Sequence, residues 1–137
     1  MIQEIVHNPL MLSVPSEAAD ETDLVTAQDL LDTLSAHADG CVGLAANMIG
    51  VRKRVIAVAD GAGGAIAMLN PEIVASAGRH TTSEGCLSLP GTTEVERFKR
   101  VTVEYTDVNL KRQKRTFAGL TAQAIQHEID HCNGVLV

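Results

Sequence analysis

The chain has no tryptophan, one tyrosine and two phenylalanines in 137 residues, so its interior has to be built from Val, Ile, Leu and Ala. Hydrophobic residues make up 45% of it, enough for a proper aliphatic core. No apolar run approaches the ~18 residues of a membrane span. The opening MIQEIVHNPLML also lacks the basic start and long apolar middle of a secretory signal, so no membrane partner and a cytoplasmic location are expected. Cations are scarce as well. Eleven Lys and Arg against 17 Asp and Glu leave a formal charge of -6, whereas binding phosphates needs clustered Lys and Arg, so no specific nucleic-acid partner is expected. The one basic run, KRQKR from Lys111 to Arg115, reads as a solvated strand or hairpin edge. Its functional alternative is a transient contact with the ribosome or its RNA. Cys41, Cys86 and Cys132 are an odd number without secretory context, which disfavours a disulfide scaffold and leaves a thiolate ligand or plain core thiols.

The length fits one domain, residues 1–137. Pro9 and Pro15, then acidic residues at Asp20 to Asp23, predict an extended arm leading to a helix start. Leu24, Ala27, Leu30, Leu31 and Leu34 recur at helical spacing, with Thr22 or Asp23 as cap and Gly40 ending the helix after His37. Short β-type runs follow at Val55–Ala59, Ala65–Leu69, Val101–Tyr105 and Arg115–Gly119. Asp60 to Gly64 reads as a hairpin loop, and Asn70-Pro71 and Pro90-Gly91 as breaks. A second helix is expected from Thr121, as cap, to Asn133, with Gly134 as terminator. Strands between two helices, without βαβ alternation, predict an α+β fold with a mainly antiparallel sheet.

The strongest chemical signal is His127-Glu128-Ile129-Asp130-His131. On a helix, residues four apart share a face, so two imidazoles can hold one metal ion, while Glu128 can reach a metal-bound water without being a ligand. Only six residues follow His131, so a third ligand must come from upstream. The candidates are His7, His37, His80, a carboxylate or a cysteine, and Cys86 stands among small and turn-forming residues in Glu84-Gly85-Cys86-Leu87-Ser88-Leu89-Pro90. A thiolate there suits zinc or ferrous iron. Asp130 is either a residue that orients a ligand imidazole or a solvated helix charge.

EGCLSLP (Glu84 to Pro90) and QHEIDH (Gln126 to His131), followed by NGVL, resemble the second and third motifs of the peptide deformylase family. The first motif, G-x-G-x-A-A-x-Q, is met by Cys41-Val42-Gly43-Leu44-Ala45-Ala46-Asn47-Met48 with two departures. Cys41 stands for a glycine, and Met48 for a glutamine whose amide donates to the formyl oxygen. The chain also stops soon after the metal helix, like a short form of the family.

The resemblance implies a peptide-deformylase-like fold with a metal-bearing C-terminal helix. It implies hydrolysis of the N-formyl group of nascent polypeptides that begin with formyl-methionine. Cys86, His127 and His131 would hold one divalent ion, Fe(II) in the cell with Zn(II) or Ni(II) as substitutes. Glu128 would be general acid/base and the backbone N–H of Leu87 an oxyanion donor. Gly43, Leu44, Ala45, Met48 and Arg97 would meet the formylated nascent peptide, and Glu84, Gln126 and Asp130 would support the ligands. Met48 cannot donate, a loss on the scale of ~10²- to 10³-fold in rate, so reduced activity is physically permitted. The alternative is a homologue that binds metal and formylated or acetylated peptides as a sensor or interaction protein. H-E-x-x-H alone would also fit a metallopeptidase acting on internal bonds, against which the upstream cysteine argues.

Overall fold

The computed structural model describes all of residues 1–137. Five strands form one antiparallel sheet in chain order: β1 (Gly43–Ala45), β2 (Val55–Ala59), β3 (Ala65–Gly85), β4 (Thr92–Thr106) and β5 (Arg112–Ala118). Two main helices accompany them, α2 (Leu24–Ala36) and α3 (Gly119–Cys132), after a single turn, α1 (Pro9–Leu12). The α+β expectation therefore stands. β2, Val-Ile-Ala-Val-Ala, lies against both α2 and α3 and reads as a continuous apolar run because both of its faces are covered. β4 has one covered face over its second half, where Val101, Val103 and Tyr105 are buried and Thr102 and Glu104 alternate outward. The core is aliphatic: Leu12, Leu30, Leu44, Ile56, Met68, Leu69 and Ile125 are fully buried, each Leu or Ile contributing about 1.5–3 kcal/mol.

Both long strands exceed the expected runs. Asn70-Pro71 is not a break: β3 continues through it by a register shift between Leu69 and Glu72 in its pairing with β4. Asn70 takes a positive φ of 51°, tolerated by a short polar side chain, and Pro71 sits where no ladder N–H is needed. The Asn70 carboxamide accepts from Ala19 N (2.7 Å) and donates to Ala19 O (2.9 Å), so this irregularity pins the N-terminal arm to the sheet. From Glu72 to Arg79 the strand is exposed and carries no apolar alternation, which is why its pairing with β4 left no hydrophobic signature.

Asp23, one of the two expected caps, is the N-cap residue of α2, although its side chain makes no bond into that helix, and the other helix ends differ in detail. Asp20 caps the 3-10 turn Glu21–Asp23 that leads into α2, accepting from Thr22 N, while the Asp23 carboxylate turns back to Asp20 N. α2 ends at Ala36, with His37 as its C-cap, and Gly40 lies in the turn that follows. α3 begins at Gly119 and not at Thr121, whose hydroxyl donates to Ala59 O and ties the helix start to β2. Asp60 binds Ala62 N and Gly64 N to close the β2–β3 loop, as its sequence suggests. The basic run enters β5 at Arg112, at the edge of the sheet, with the Arg115 guanidinium 5.0 Å from the Phe117 ring centroid. No helix is long and apolar enough to cross a membrane.

Gly134 terminates α3 as expected. It adopts φ 76°, Gly134 N donates to His131 O, and Val135 N reaches back to Asp130 O. A Cβ there would lie 2.5 Å from Ser13 O and 3.0 Å from Pro15 N, so the end of the helix is packed directly on the arm's backbone. Gly134→Ala combines the left-handed penalty with this clash and should destabilise the fold by on the order of 3 kcal/mol, read from the urea midpoint. An unchanged midpoint would mean that residues 13–15 are free to move aside.

Candidate metal centre

α3 turns one face to the interior and places His127, Glu128 and His131 there, at 6%, 3% and 0% exposure. Cys86 follows directly on the end of β3 and brings a thiol to the same point. His127 Nε2 and His131 Nε2 are 3.1 Å apart, and Cys86 Sγ is 3.4 Å from His131 Nε2. All three donor atoms lie within 4.8 Å of one another. A tetrahedral centre with bonds of about 2.05 Å to nitrogen and 2.3 Å to sulfur has edges of roughly 3.3 and 3.6 Å, so the trio is spaced to share one ion. Two buried ring nitrogens and a thiol facing each other have no neutral partner that satisfies all of them. A divalent cation does, and the donor set fits it.

The cluster is held by buried charge. Glu84, near the end of β3, accepts from His127 Nδ1 at 2.7 Å, which turns Nε2 toward the cluster. Arg97, on β4, donates to the same carboxylate through Nε (3.1 and 3.0 Å) and Nη2 (2.7 Å), and its Nη1 reaches Asp130 on α3 at 2.8 Å. Burial works against the Glu84 carboxylate, but hydrogen bonds from His127 and Arg97 outweigh it and hold the group at about 2. For His127, burial is likewise overcome by hydrogen bonds to Cys86 and Glu84, which push it up to about 10. His131, buried beside His127, is depressed to about 4. Glu128 is pushed up to about 7, chiefly by burial, and its Oε1 has no hydrogen-bond partner within the protein. A carboxyl poised near neutrality can both take and give a proton.

A cavity of about 490 Å³ opens onto these groups, lined among others by Gly43, Met48, Glu84, Leu87 and Leu89 beside Cys86, His127 and Glu128. Leu44 and Ala45, expected to face a peptide, have fully buried side chains in β1 and do not line it. Arg97 does not line it either. Arg97 is 5% exposed behind Glu84, and its reach is spent on carboxylates inside the protein. Gln126 holds the edge of β4, accepting from Phe98 N (2.7 Å) and donating to Phe98 O (2.8 Å). Asp130 touches Arg97 and neither imidazole, a third arrangement beside the two its sequence suggested. The remaining candidate ligands are elsewhere: His7 Nδ1 is on Ser88 O, His37 Nδ1 on Thr33 O and His80 Nδ1 near Gly78 O.

Three contacts near the site went unforeseen. Asn47 donates to His131 O at 2.9 Å and locks the turn Ala46–Ile49 to α3, while Gln123 lines the cavity four residues before His127, a position that helical spacing places on the ligand face. Third, both departures from the first motif turn a sulfur toward β1. Cys41 Sγ donates to Gly43 O at 3.0 Å, burial raising that thiol to about 11, and Met48 Sδ accepts from Ala45 N at 3.4 Å.

Comparison with known proteins places this geometry in a family. The polypeptide deformylase family model matches residues 2–137. A peptide deformylase of Clostridium beijerinckii is 44% identical over 137 residues, the whole of both chains. Among solved structures, a peptide deformylase from Legionella pneumophila superposes with a TM-score of 0.88 at 37% identity, covering 99% of this chain and 83% of that one. A class I type b peptide deformylase from Acinetobacter baumannii with Met-Ala-Ser bound gives 0.88 at 28% identity, covering 99% and 97%.

Glu84→Gln should lower affinity for a divalent ion by about 10- to 100-fold, because His127 loses the anion that orients it and makes it basic. Competition with a chromogenic chelator reads this directly, and parental affinity in the variant would show that the ligands need no such support.

Proposed function

The chain belongs to the polypeptide deformylase family, and we propose that it hydrolyses the N-formyl group of nascent polypeptides that begin with formyl-methionine, releasing formate and a free amino terminus. The observation that carries this reading is the buried Glu128 carboxyl beside the Cys86, His127 and His131 cluster, at the end of a cavity large enough for a peptide's first side chain. A binding-only protein has no evident use for a proton-transfer group at that point.

Cys86, His127 and His131 would hold one divalent ion. Their donor set suits Fe(II), Zn(II) or Ni(II), and we assign Fe(II) in the cell. When bound, such an ion makes water nucleophilic at neutral pH and polarises the formyl carbonyl. Glu128, with one oxygen unengaged and its acidity tuned to neutrality, removes a proton from the attacking water and returns it to the departing amine. The Leu87 backbone N–H donates to the developing oxyanion, and Glu84 keeps His127 in the tautomer that faces the cluster. The free side of β1, from Gly43 to Ala45, pairs with the peptide backbone, which recognises any sequence after the first residue. Gly43 has to lack a side chain, because a Cβ there would lie 2.9 Å from Glu128 Oε2. The whole chain, 1–137, acts as one catalytic domain in the cytoplasm. Lys111, just before β5, with Arg112, Lys114 and Arg115 on that edge strand, forms the surface for a transient ribosome contact.

Protein loaded anaerobically with Fe(II) or Ni(II) should release formate from formyl-Met-Ala-Ser, and Glu128→Ala at equal metal content should lose at least ~10²-fold in kcat. Turnover that survives Glu128→Ala would overturn the assigned role, and no turnover by the metallated parent would favour a binding protein. Met48→Gln should raise kcat by tenfold or more, toward the ~10² to 10³ that one oxyanion donor supplies. No gain would mean that the turn 46–49 differs from its relatives in more than one side chain.

A further inference from the structure

β1 is the first strand of the sheet and pairs only with β2, through Gly43↔Val58, Leu44↔Ala57 and Ala45↔Ile56. In an antiparallel ladder, alternate residues send their N–H and C=O to the partner or away from it. Ala59 N donates to Val42 O, which fixes the phase: Val42 and Leu44 face β2, while Gly43 and Ala45 face outward. The outward carbonyl of Gly43 and the outward N–H of Ala45 are thus the groups with which an extended ligand would extend the sheet. Both are engaged by sulfur, Gly43 O by the Cys41 thiol at 3.0 Å and Ala45 N by the Met48 thioether at 3.4 Å.

Resting on the deformylase reading, we propose that Cys41 and Met48 are a pair of sulfur caps that occupy the peptide-pairing groups of β1 and must be displaced before a formylated peptide can seat. Both residues line the cavity that holds Glu128, and Gly43 packs on the Glu128 carboxylate, so a peptide paired here lies against the proton-transfer group. The chemistry favours a removable cap. A thiol is a weak donor and a thioether a weak acceptor, so a peptide amide, stronger in both roles, replaces them at a modest cost in affinity. Cys41 and Met48 are on this account positioning residues that set substrate affinity, distinct from the groups that move protons.

The test is binding of fluorescently labelled Met-Ala-Ser to the metal-loaded protein, followed by anisotropy, with turnover of formyl-Met-Ala-Ser alongside. Cys41→Ala removes the donor and should tighten binding by about 3- to 10-fold and lower KM by a similar factor with kcat unchanged, the range one net hydrogen bond supplies. Cys41→Ser keeps a donor at the same point and should stay within about twofold of the parent. Met48→Leu, similar in volume but without an acceptor, should tighten binding like Cys41→Ala. Equal affinities for parent, Cys41→Ala and Met48→Leu would overturn the proposal, as would Ala and Ser variants at position 41 that tighten alike. If the parent turns nothing over, the deformylase reading fails, and the anisotropy series still decides whether the sulfurs compete with a peptide.

Discussion

The site depends on one buried charge arrangement, the Glu84 carboxylate clamped between the Arg97 guanidinium and His127. Glu84 comes from β3, Arg97 from β4 and His127 from α3, so a single carboxylate joins the long hairpin to the helix of the two candidate histidine ligands. Asp130 closes the circuit by taking the other arm of Arg97 from the helix side. Burying such a pair in isolation costs several kcal/mol per ion, and the cost is met only when nearly every lone pair and N–H is used. Here Glu84 receives Arg97 through two nitrogens and His127 through a third, and Arg97 divides its donors between two carboxylates. The same bonds that make the burial tolerable also set the imidazole, so stability and ligand geometry cannot be altered separately.

That coupling explains why the sequence revealed some of the site and concealed the rest. His127, Glu128 and His131 are legible because helical spacing alone puts them on one face, and Cys86 because EGCLSLP stands in the one order the family resemblance demands. Arg97 was not legible in its role. A residue thirteen positions from Glu84 and thirty-three from Asp130 finds them only through the β3–β4 register, and that register runs through an exposed, non-alternating stretch with no sequence signature. Asn70-Pro71 misled for a related reason. Those residues break strands when nothing opposes them, but here the ladder resumes after the register shift and Asn70 gains two hydrogen bonds to Ala19. Tertiary pairing outweighs local preference at Asn70-Pro71 and along β3 and β4, whereas short-range features, the two main helices, the Asp60 to Gly64 loop and the closing Gly134, agree with the structure.

The two departures from the first motif fall on a part of the molecule that the clamp does not reach. The candidate metal ligands and the Glu128 carboxyl are carried by α3 and the segment just after β3, and Glu84, Arg97 and Asp130 hydrogen-bond among themselves and to His127 without using Cys41 or Met48. β1 and its following turn approach from the other side of the cavity, held by Asn47 on His131 O and by Val6 on Met48 O. On the proposed mechanism, a change at positions 41 or 48 alters how a ligand meets the strand and how its oxyanion is received, while the clamp around the candidate ion site keeps its hydrogen bonds. Loss of one oxyanion donor is a matter of about 2.7–4 kcal/mol, against the ~8–23 kcal/mol by which enzymes lower barriers overall. A clamped half that carries Glu128 and the candidate ligands, separate from the half that carries positions 41 and 48, is what would allow a methionine at position 48 to coexist with deformylase chemistry.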